Sequence, residues 1–159
     1  MIFVTVGSQK FQFNRLLKKI DELIEKGIID EPVFAQIGTS DYKPVNYEYV
    51  DFISQDEFQK RIEEASLIIT HAGTGVIINS IKIGKKVIAI PRLAKYGEHV
   101  DDHQVQLINE FGELNFIEAV YDISSLEQAI SIVKNKKYNT YISNTETILN
   151  SVCEFINKY

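Results

Sequence analysis

The chain has 159 residues, 45% of them hydrophobic and 25% charged, which is the balance of one globular domain with a buried core. Its formal net charge of −5 argues against a nucleic-acid partner, because phosphate backbones require clustered lysine and arginine. The single cysteine, Cys153, excludes a disulfide within the chain and fits a reducing compartment.

Short segments rich in β-branched residues predict six strands, most of them closed by glycine or proline. Ile2 to Val6, closed by Gly7, is typical of a buried parallel strand. The predicted strands span residues 2–6, 32–37, 47–52, 67–71, 86–90 and 114–117.

Segments with helical spacing of apolar residues alternate with these strands. The predicted helices span residues 13–26, 56–65, 75–82, 100–111 and 126–133, and residues 143–158 form a closing helix. We therefore expect one domain over 1–159, of the α/β class, with a Rossmann-like parallel sheet flanked by helices. In such sheets ligands bind beyond the carboxyl ends of the strands.

The run Thr70 to Gly75, with sequence THAGTG, lies where the fourth strand ends and a helix begins. Amides at a helix start are unpaired and the helix dipole favours negative charge, so this turn predicts a phosphate site. The alternative is a glycine turn that only allows close packing. His71 is a candidate donor to a phosphate or sugar hydroxyl, or a structural hydrogen-bonding residue.

Several other nucleotide and catalytic motifs are absent. The run lacks the third glycine of a dinucleotide-binding loop and follows the fourth strand, not the first. Lys86 stands where a Walker A loop ending in Gly84-Lys85 requires serine or threonine. The chain also contains no G-x-S-x-G nucleophile elbow.

A second polar segment follows the fifth strand, from Pro91 to Gln104. Dense polar groups at the binding edge favour recognition of a hydroxyl-rich or phosphorylated ligand. A solvated charged loop is one alternative. A metal site is another, because His99 and His103 share a helix face and Asp102 is adjacent.

Taken in order, these motifs resemble the C-terminal half of family 28 glycosyltransferases over residues 1 to about 135. The matching segments are VGSQ at 6–9, FI at 52–53, HAGTG at 71–75, GKK at 84–86, Pro91, and DHQ at 102–104.

The resemblance implies the donor-binding half of a GT-B enzyme, here without the other half. It is similar to the small subunits of split transferases, and most to the PssE- and CpsG-like proteins of bacterial polysaccharide synthesis. It implies transfer of a hexose, with galactose favoured, from a UDP-sugar to a lipid-linked acceptor, with no metal and no cofactor. A non-catalytic helper of a competent partner is the alternative.

The resemblance also assigns roles to residues. Phe52 and Ile53 hold the uracil, Gly73 to Gly75 the diphosphate, and Asp102 to Gln104 the donor sugar. Asn79 stands where many members carry a glutamate that binds both ribose hydroxyls. The implied nucleotide-sugar site is Gly7, Ser8, Phe52, Ile53, His71, Gly73, Thr74, Gly75, Asn79, Arg92, His99, Asp102, His103 and Gln104.

The catalytic base is expected on a partner, and His71 is only a weak candidate. That partner is implied to be a membrane-associated acceptor-binding subunit, and the isolated chain could self-associate. Because no secretory leader or apolar span of roughly 20 residues is apparent, we expect a cytoplasmic protein recruited to the inner face of the membrane.

Overall fold

Six parallel strands form one sheet in the computed structural model, which describes residues 1–142. The strand order is β3-β2-β1-β4-β5-β6, so β1 and β4 are neighbours at its centre. The chain moves outward in opposite directions from this pair, which creates a crevice between the loops that follow them. The strands are β1 (Ile2–Thr5), β2 (Val33–Gln36), β3 (Glu48–Val50), β4 (Leu67–His71), β5 (Lys86–Ile90) and β6 (Glu118–Ala119).

Helices cover both faces of this sheet, and each face has its own hydrophobic core. One core packs β1, β2 and β4 against the first and last helices, through residues such as Leu16 and Ile130. The other packs the middle helices, through residues such as Ile62, Ile77 and Ile108. The helices are α1 (Asn14–Glu25), α2 (Gln55–Glu64), α3 (Thr74–Lys82), α4 (His103–Glu113) and α5 (Leu126–Asn135), with 3₁₀ turns at Ala94–Tyr96 and Ile123–Ser125.

Two predicted elements are displaced along the chain. The strand predicted at 114–117 is wrong: Leu114 caps α4, and Asn115 adopts a left-handed φ of 53°, so β6 begins only at Glu118. The helix predicted from residue 100 begins at His103. Val100 is 74% exposed and therefore provides no core contact that would extend the helix.

The predicted closing helix, 143–158, and Cys153 lie outside the described residues. Within residues 1–142, none of the helices combines the length and the apolarity needed to traverse a bilayer.

Candidate functional site: the crevice between the β1 and β4 loops

The imidazole of His71 lies between two glycines at the centre of the crevice. A Cβ atom added to Gly7 would come within 2.6 Å of His71 Cε1, and one added to Gly73 within 2.5 Å of Nε2. Gly7 also has a left-handed φ of 78°. The buried ring therefore explains both glycines, so close packing, the alternative considered for the 70–75 run, accounts for Gly73.

Neutral His71 is fixed by Thr70. The Thr70 hydroxyl donates to the Thr5 carbonyl at 3.0 Å, so it accepts from His71 Nδ1, which lies 3.3 Å away. Burial, followed by the charge of Arg92, lowers the pKa of His71 to about 4. The ring is neutral near pH 7 and its Nε2 carries no proton. It therefore has no N–H left for a phosphate, which favours the structural alternative for His71.

Gly75 has a different environment from Gly73. A Cβ added there would meet no atom within 4 Å, and the residue is exposed. Gly73 caps α3 without any side-chain hydrogen bond, so no capping side chain pairs the amides of the exposed residues Thr74 and Gly75 at the helix start. This end of α3 is suited to an anion.

A cleft of about 300 Å³ lies beside this helix start. Gln36, missed by the sequence analysis, holds its walls: its Nε2 donates to the carbonyls of Gly7 and Asp51, both at 3.1 Å. A lone glutamine ending an apolar strand was the available signal. The cleft brings together predicted and unpredicted residues from two loops, one strand and two helices: Gly7, Ser8, Gln36, Phe52, Ile53, Gln55, Phe58 and Val76.

Phe52 and Asn79 are both exposed near this region. Phe52 is 53% exposed at the cleft, although large aromatic side chains are usually buried. Asn79 lies on α3 one turn beyond Gly75, and its side chain is exposed. An exposed ring is available to stack on a planar group.

Arg92 is a correction to the predicted site. Its side chain is fully buried, and it donates to the carbonyls of Val6 and Phe11 in the β1–α1 loop. Burial lowers its pKa to about 10, so it remains charged near pH 7. Its Nε and Nη1 atoms are buried and have no hydrogen-bond partner among residues 1–142. Arg92 therefore supports the glycine loop from behind and does not face a ligand.

Glu98 and Gln104 are also structural. Glu98 is 1% exposed. Its carboxylate accepts hydrogen bonds from Nε and Nη2 of Arg15 at 3.0 and 2.9 Å, and from the Leu93 amide at 3.0 Å. Buried Gln104 accepts the Arg92 amide at 3.0 Å through its side-chain oxygen. These bonds hold the loop against α1, so the predicted contact of Gln104 with a sugar is not supported.

His99, Asp101 and His103 form a cluster at the outer side of the loop, with possible metal-ligating atoms within 4.8 Å of one another. Asp101 is the carboxylate of this cluster. Asp102, which the sequence pairs with the histidines, instead accepts the Ala94 amide at 2.8 Å. Asp101 Oδ1 contacts His103 Nδ1 and lies 3.4 Å from His99 Nδ1. Any metal held here would use Asp101, which the sequence analysis missed.

Comparison with known proteins agrees with this fold. The chain is 29% identical over 147 residues to the UDP-N-acetylglucosamine transferase subunit ALG13 of Candida albicans, covering 87% of this chain and 47% of the relative. It spans about half the length of the curated relatives it matches.

Two solved structures share the fold. MurG of Acinetobacter baumannii superposes with a TM-score of 0.57 at 19% identity, over 83% of this chain and 41% of that one. An NMR structure of ALG13 superposes with a TM-score of 0.59 at 18% identity, over 95% of this chain and 93% of that one. The six-stranded sheet thus matches the C-terminal halves of GT-B glycosyltransferases. The model of the glycosyltransferase family 28 C-terminal domain matches residues 1–158, and the chain belongs to that family.

Proposed function

We propose that this chain is the donor-binding subunit of a two-subunit inverting glycosyltransferase. It transfers a hexose from a UDP-sugar to a lipid-linked acceptor in capsular or exopolysaccharide synthesis. The observation that carries the proposal is the continuity of the cleft, which runs from the exposed ring of Phe52 to Val76 in the first turn of α3. A planar base and a diphosphate fit these two ends in that order.

The chemistry assigned to this subunit is stabilisation of the leaving group. As the bond between the sugar and the diphosphate breaks, negative charge develops on the phosphate oxygens. Amides at the start of α3 are fixed before the reaction and stabilise that charge without reorganising. Gly75 permits close approach of the phosphate, because this residue has no side chain between the phosphate and the backbone amides.

The base that removes the acceptor proton is assigned to the partner. A general base works best with a pKa near the operating pH, whereas that of His71 is about 4. The ring is also buried, with Gly7 on one side and Gly73 on the other. The proposed partner is a membrane-associated acceptor-binding subunit that recruits this chain to the cytoplasmic face of the membrane.

The identity of the donated sugar is the most specific element of the proposed function. Galactose is the expectation that comes with the family resemblance, whereas the two ALG13 relatives are UDP-N-acetylglucosamine transferase subunits, which supports N-acetylglucosamine. Reconstituting the two subunits with UDP-galactose, UDP-glucose, UDP-glucuronic acid and UDP-N-acetylglucosamine separates these candidates. Transfer from UDP-galactose alone supports the expectation, and transfer from UDP-N-acetylglucosamine alone replaces it.

Calorimetry with UDP tests the donor site, using Gly75→Val and a control in the same helix, Lys82→Val. The valine at position 75 meets open space, so the variant should fold, but its side chain occupies the approach to the amides. We expect loss of UDP binding in Gly75→Val and unchanged binding in Lys82→Val, with the partner present throughout. Unchanged binding in Gly75→Val would contradict the proposed site.

A helper that activates a competent partner is the second candidate, favoured by Asn79. An asparagine oxygen accepts more weakly than the ionised carboxylate that many family members carry at this position, so donor binding is weakened. Full transferase activity of the partner alone would exclude a catalytic subunit, and weak activity of the partner that this chain raises would support the helper. Transfer that occurs only when both chains are present would support a catalytic subunit.

A further inference from the structure

We propose that His99, Asp101 and His103 form a binding site for one divalent transition-metal ion, of which Zn²⁺ is the best match. The three residues supply two imidazole nitrogens and one carboxylate oxygen, within 4.8 Å of one another. Three protein ligands leave a fourth tetrahedral position open to water. None of the three residues lines the nucleotide cleft, and the inference does not depend on the proposed function.

The positions of the ligand atoms suit a tetrahedral ion. Bond lengths of about 2.0–2.2 Å place two ligands of a tetrahedral zinc ion roughly 3.3 Å apart. Asp101 Oδ1 lies 3.4 Å from His99 Nδ1, which is already this separation. His103 Nδ1 contacts the same oxygen, so the His103 ring has to move outward to admit an ion. Its side chain is 49% exposed and therefore has room for that movement.

Two of the three ligands are held in place before an ion binds. Asp101 Oδ1 accepts the backbone amide of His103 at 3.1 Å, which fixes the carboxylate at the start of α4. The side chain of His99 is only 8% exposed, and its ring packs against Phe11 with centroids 5.0 Å apart. Because these two side chains are already ordered, little of the binding free energy is lost in fixing them.

The chemistry of the ligands selects the class of metal. Imidazole nitrogen suits zinc, copper, nickel and iron, whereas Mg²⁺ and Ca²⁺ prefer sites built from oxygen ligands. An ion held here would join His99, in the β5–α4 loop, to His103, the first residue of α4. We therefore expect the ion to stabilise the folded chain, because a ligand that binds only the folded form shifts the unfolding equilibrium towards it.

Calorimetric titration of the chain with ZnCl₂ tests the site. The reference protein is untagged and carries Cys153→Ser, which removes the other strong zinc ligand of the sequence. Asp101→Asn and His103→Ala are made in this background, with Asp102→Asn as the matched control. Asp102 accepts the Ala94 amide at 2.8 Å, and an asparagine oxygen can accept it as well.

We expect the reference protein and Asp102→Asn to bind one Zn²⁺ per chain with the same affinity. Asp101→Asn and His103→Ala should each bind Zn²⁺ more than about 10-fold more weakly, since the loss of even an outer-shell partner costs a metal site about 10–100-fold.

Thermal unfolding distinguishes loss of the site from loss of the fold. Asp101 and His103 are exposed, so without metal the four proteins should unfold at similar temperatures. Zn²⁺ should raise the midpoint of the reference protein and of Asp102→Asn, and leave that of Asp101→Asn unchanged. Failure of the reference protein to bind one Zn²⁺, or equal affinity in Asp101→Asn, would overturn the inference. Affinity lost in Asp102→Asn and kept in Asp101→Asn would overturn it too, because Asp102 would then be the ligand.

Discussion

The turn between β4 and α3 and the loop between β5 and α4 lie at the same edge of the sheet, but they use their polar groups differently. In the first, the amides at the start of α3 are left without a side-chain cap and Gly75 faces open space. In the second, buried Arg92 and Glu98 are bonded to the β1–α1 loop and to α1, and buried Gln104 at the start of α4 accepts the Arg92 amide. The loop richer in polar residues therefore uses several of them to hold its own structure, whereas the shorter turn leaves Thr74 and Gly75 exposed at a helix start.

This difference follows from the cost of burying polar atoms. A buried charge needs partners within the protein. The polar side chains of a loop that covers the β1 region therefore form hydrogen bonds and ion pairs with the protein itself. Backbone amides at an exposed helix start need no partner within the protein, because they can donate to water. Polar density indicates a binding loop only when the residues are exposed.

The largest effect on the free energy of unfolding is expected from a substitution in the β5–α4 loop. Glu98→Ala removes the buried partner of Arg15 and leaves Arg92 without the nearby negative charge. We expect a loss of about 3–5 kcal/mol in the free energy of unfolding, measured by urea denaturation.

Glu57→Ala is the matched control. Glu57 pairs with Arg61 at 2.8 Å on the surface of α2, where a pair one helical turn apart contributes about 0.3–0.5 kcal/mol. If both variants lost less than about 1 kcal/mol, Glu98 would not be the structural residue described here.

The next effect distinguishes the two glycines of the β4–α3 turn. Gly73→Ala places a methyl group against the His71 ring, and we expect destabilisation by about 1–3 kcal/mol. Gly75→Ala meets no neighbour and gains helix propensity, by up to about 1 kcal/mol. Thermal unfolding of the two variants should therefore shift in opposite directions, and equal shifts would contradict the packing described for Gly73.

His71 gives a pH-dependent test of the same packing. Its folded pKa of about 4 lies below the unfolded value near 6.5, so the unfolded state binds more protons between these values. The contribution of His71 to the free energy of unfolding is therefore fully present above pH 6.5 and decreases as the pH falls towards 4. From pH 7.5 to pH 5 the contribution of His71 should fall by about 2 kcal/mol.

His71→Gln isolates that contribution, because the variant lacks the imidazole and keeps every other titratable side chain. Urea denaturation at pH 7.5 and pH 5 should show a smaller loss in the variant. The same loss in both proteins would mean that His71 is not held neutral in the crevice.

The sequence predicted the centre of the sheet well because β1, β2, β4 and β5 are buried and appear in the sequence as mainly apolar runs. The bounds predicted for β4 and β5, 67–71 and 86–90, are confirmed. The β6 prediction was wrong because Leu114 to Ile117 are equally apolar but end a helix and form its turn. Hydrophobicity alone does not separate these two uses in so short a segment.

The site was predictable where backbone geometry determines it. Glycines after β1 and β4 indicate the crevice, whereas nothing local shows that Arg92 bonds to carbonyls 81 and 86 residues away. The adjacent Asp101 and Asp102 are likewise chemically identical. Their different partners, His103 and Ala94, depend on the path of the loop.

The smallest effect on stability is expected at Phe52, together with a clear effect on UDP binding. Its ring is about half exposed, so Phe52→Ala should change the free energy of unfolding by less than about 0.5 kcal/mol. If uracil stacks there, the variant should lose about 1–3 kcal/mol of UDP affinity by calorimetry, as measured for other bases stacked on aromatic residues. Tyr49→Ala removes an exposed ring that does not line the cleft and should leave UDP binding intact. Equal UDP affinity in Phe52→Ala and Tyr49→Ala would mean that uracil does not stack on Phe52, and the cleft would then not be the nucleotide site.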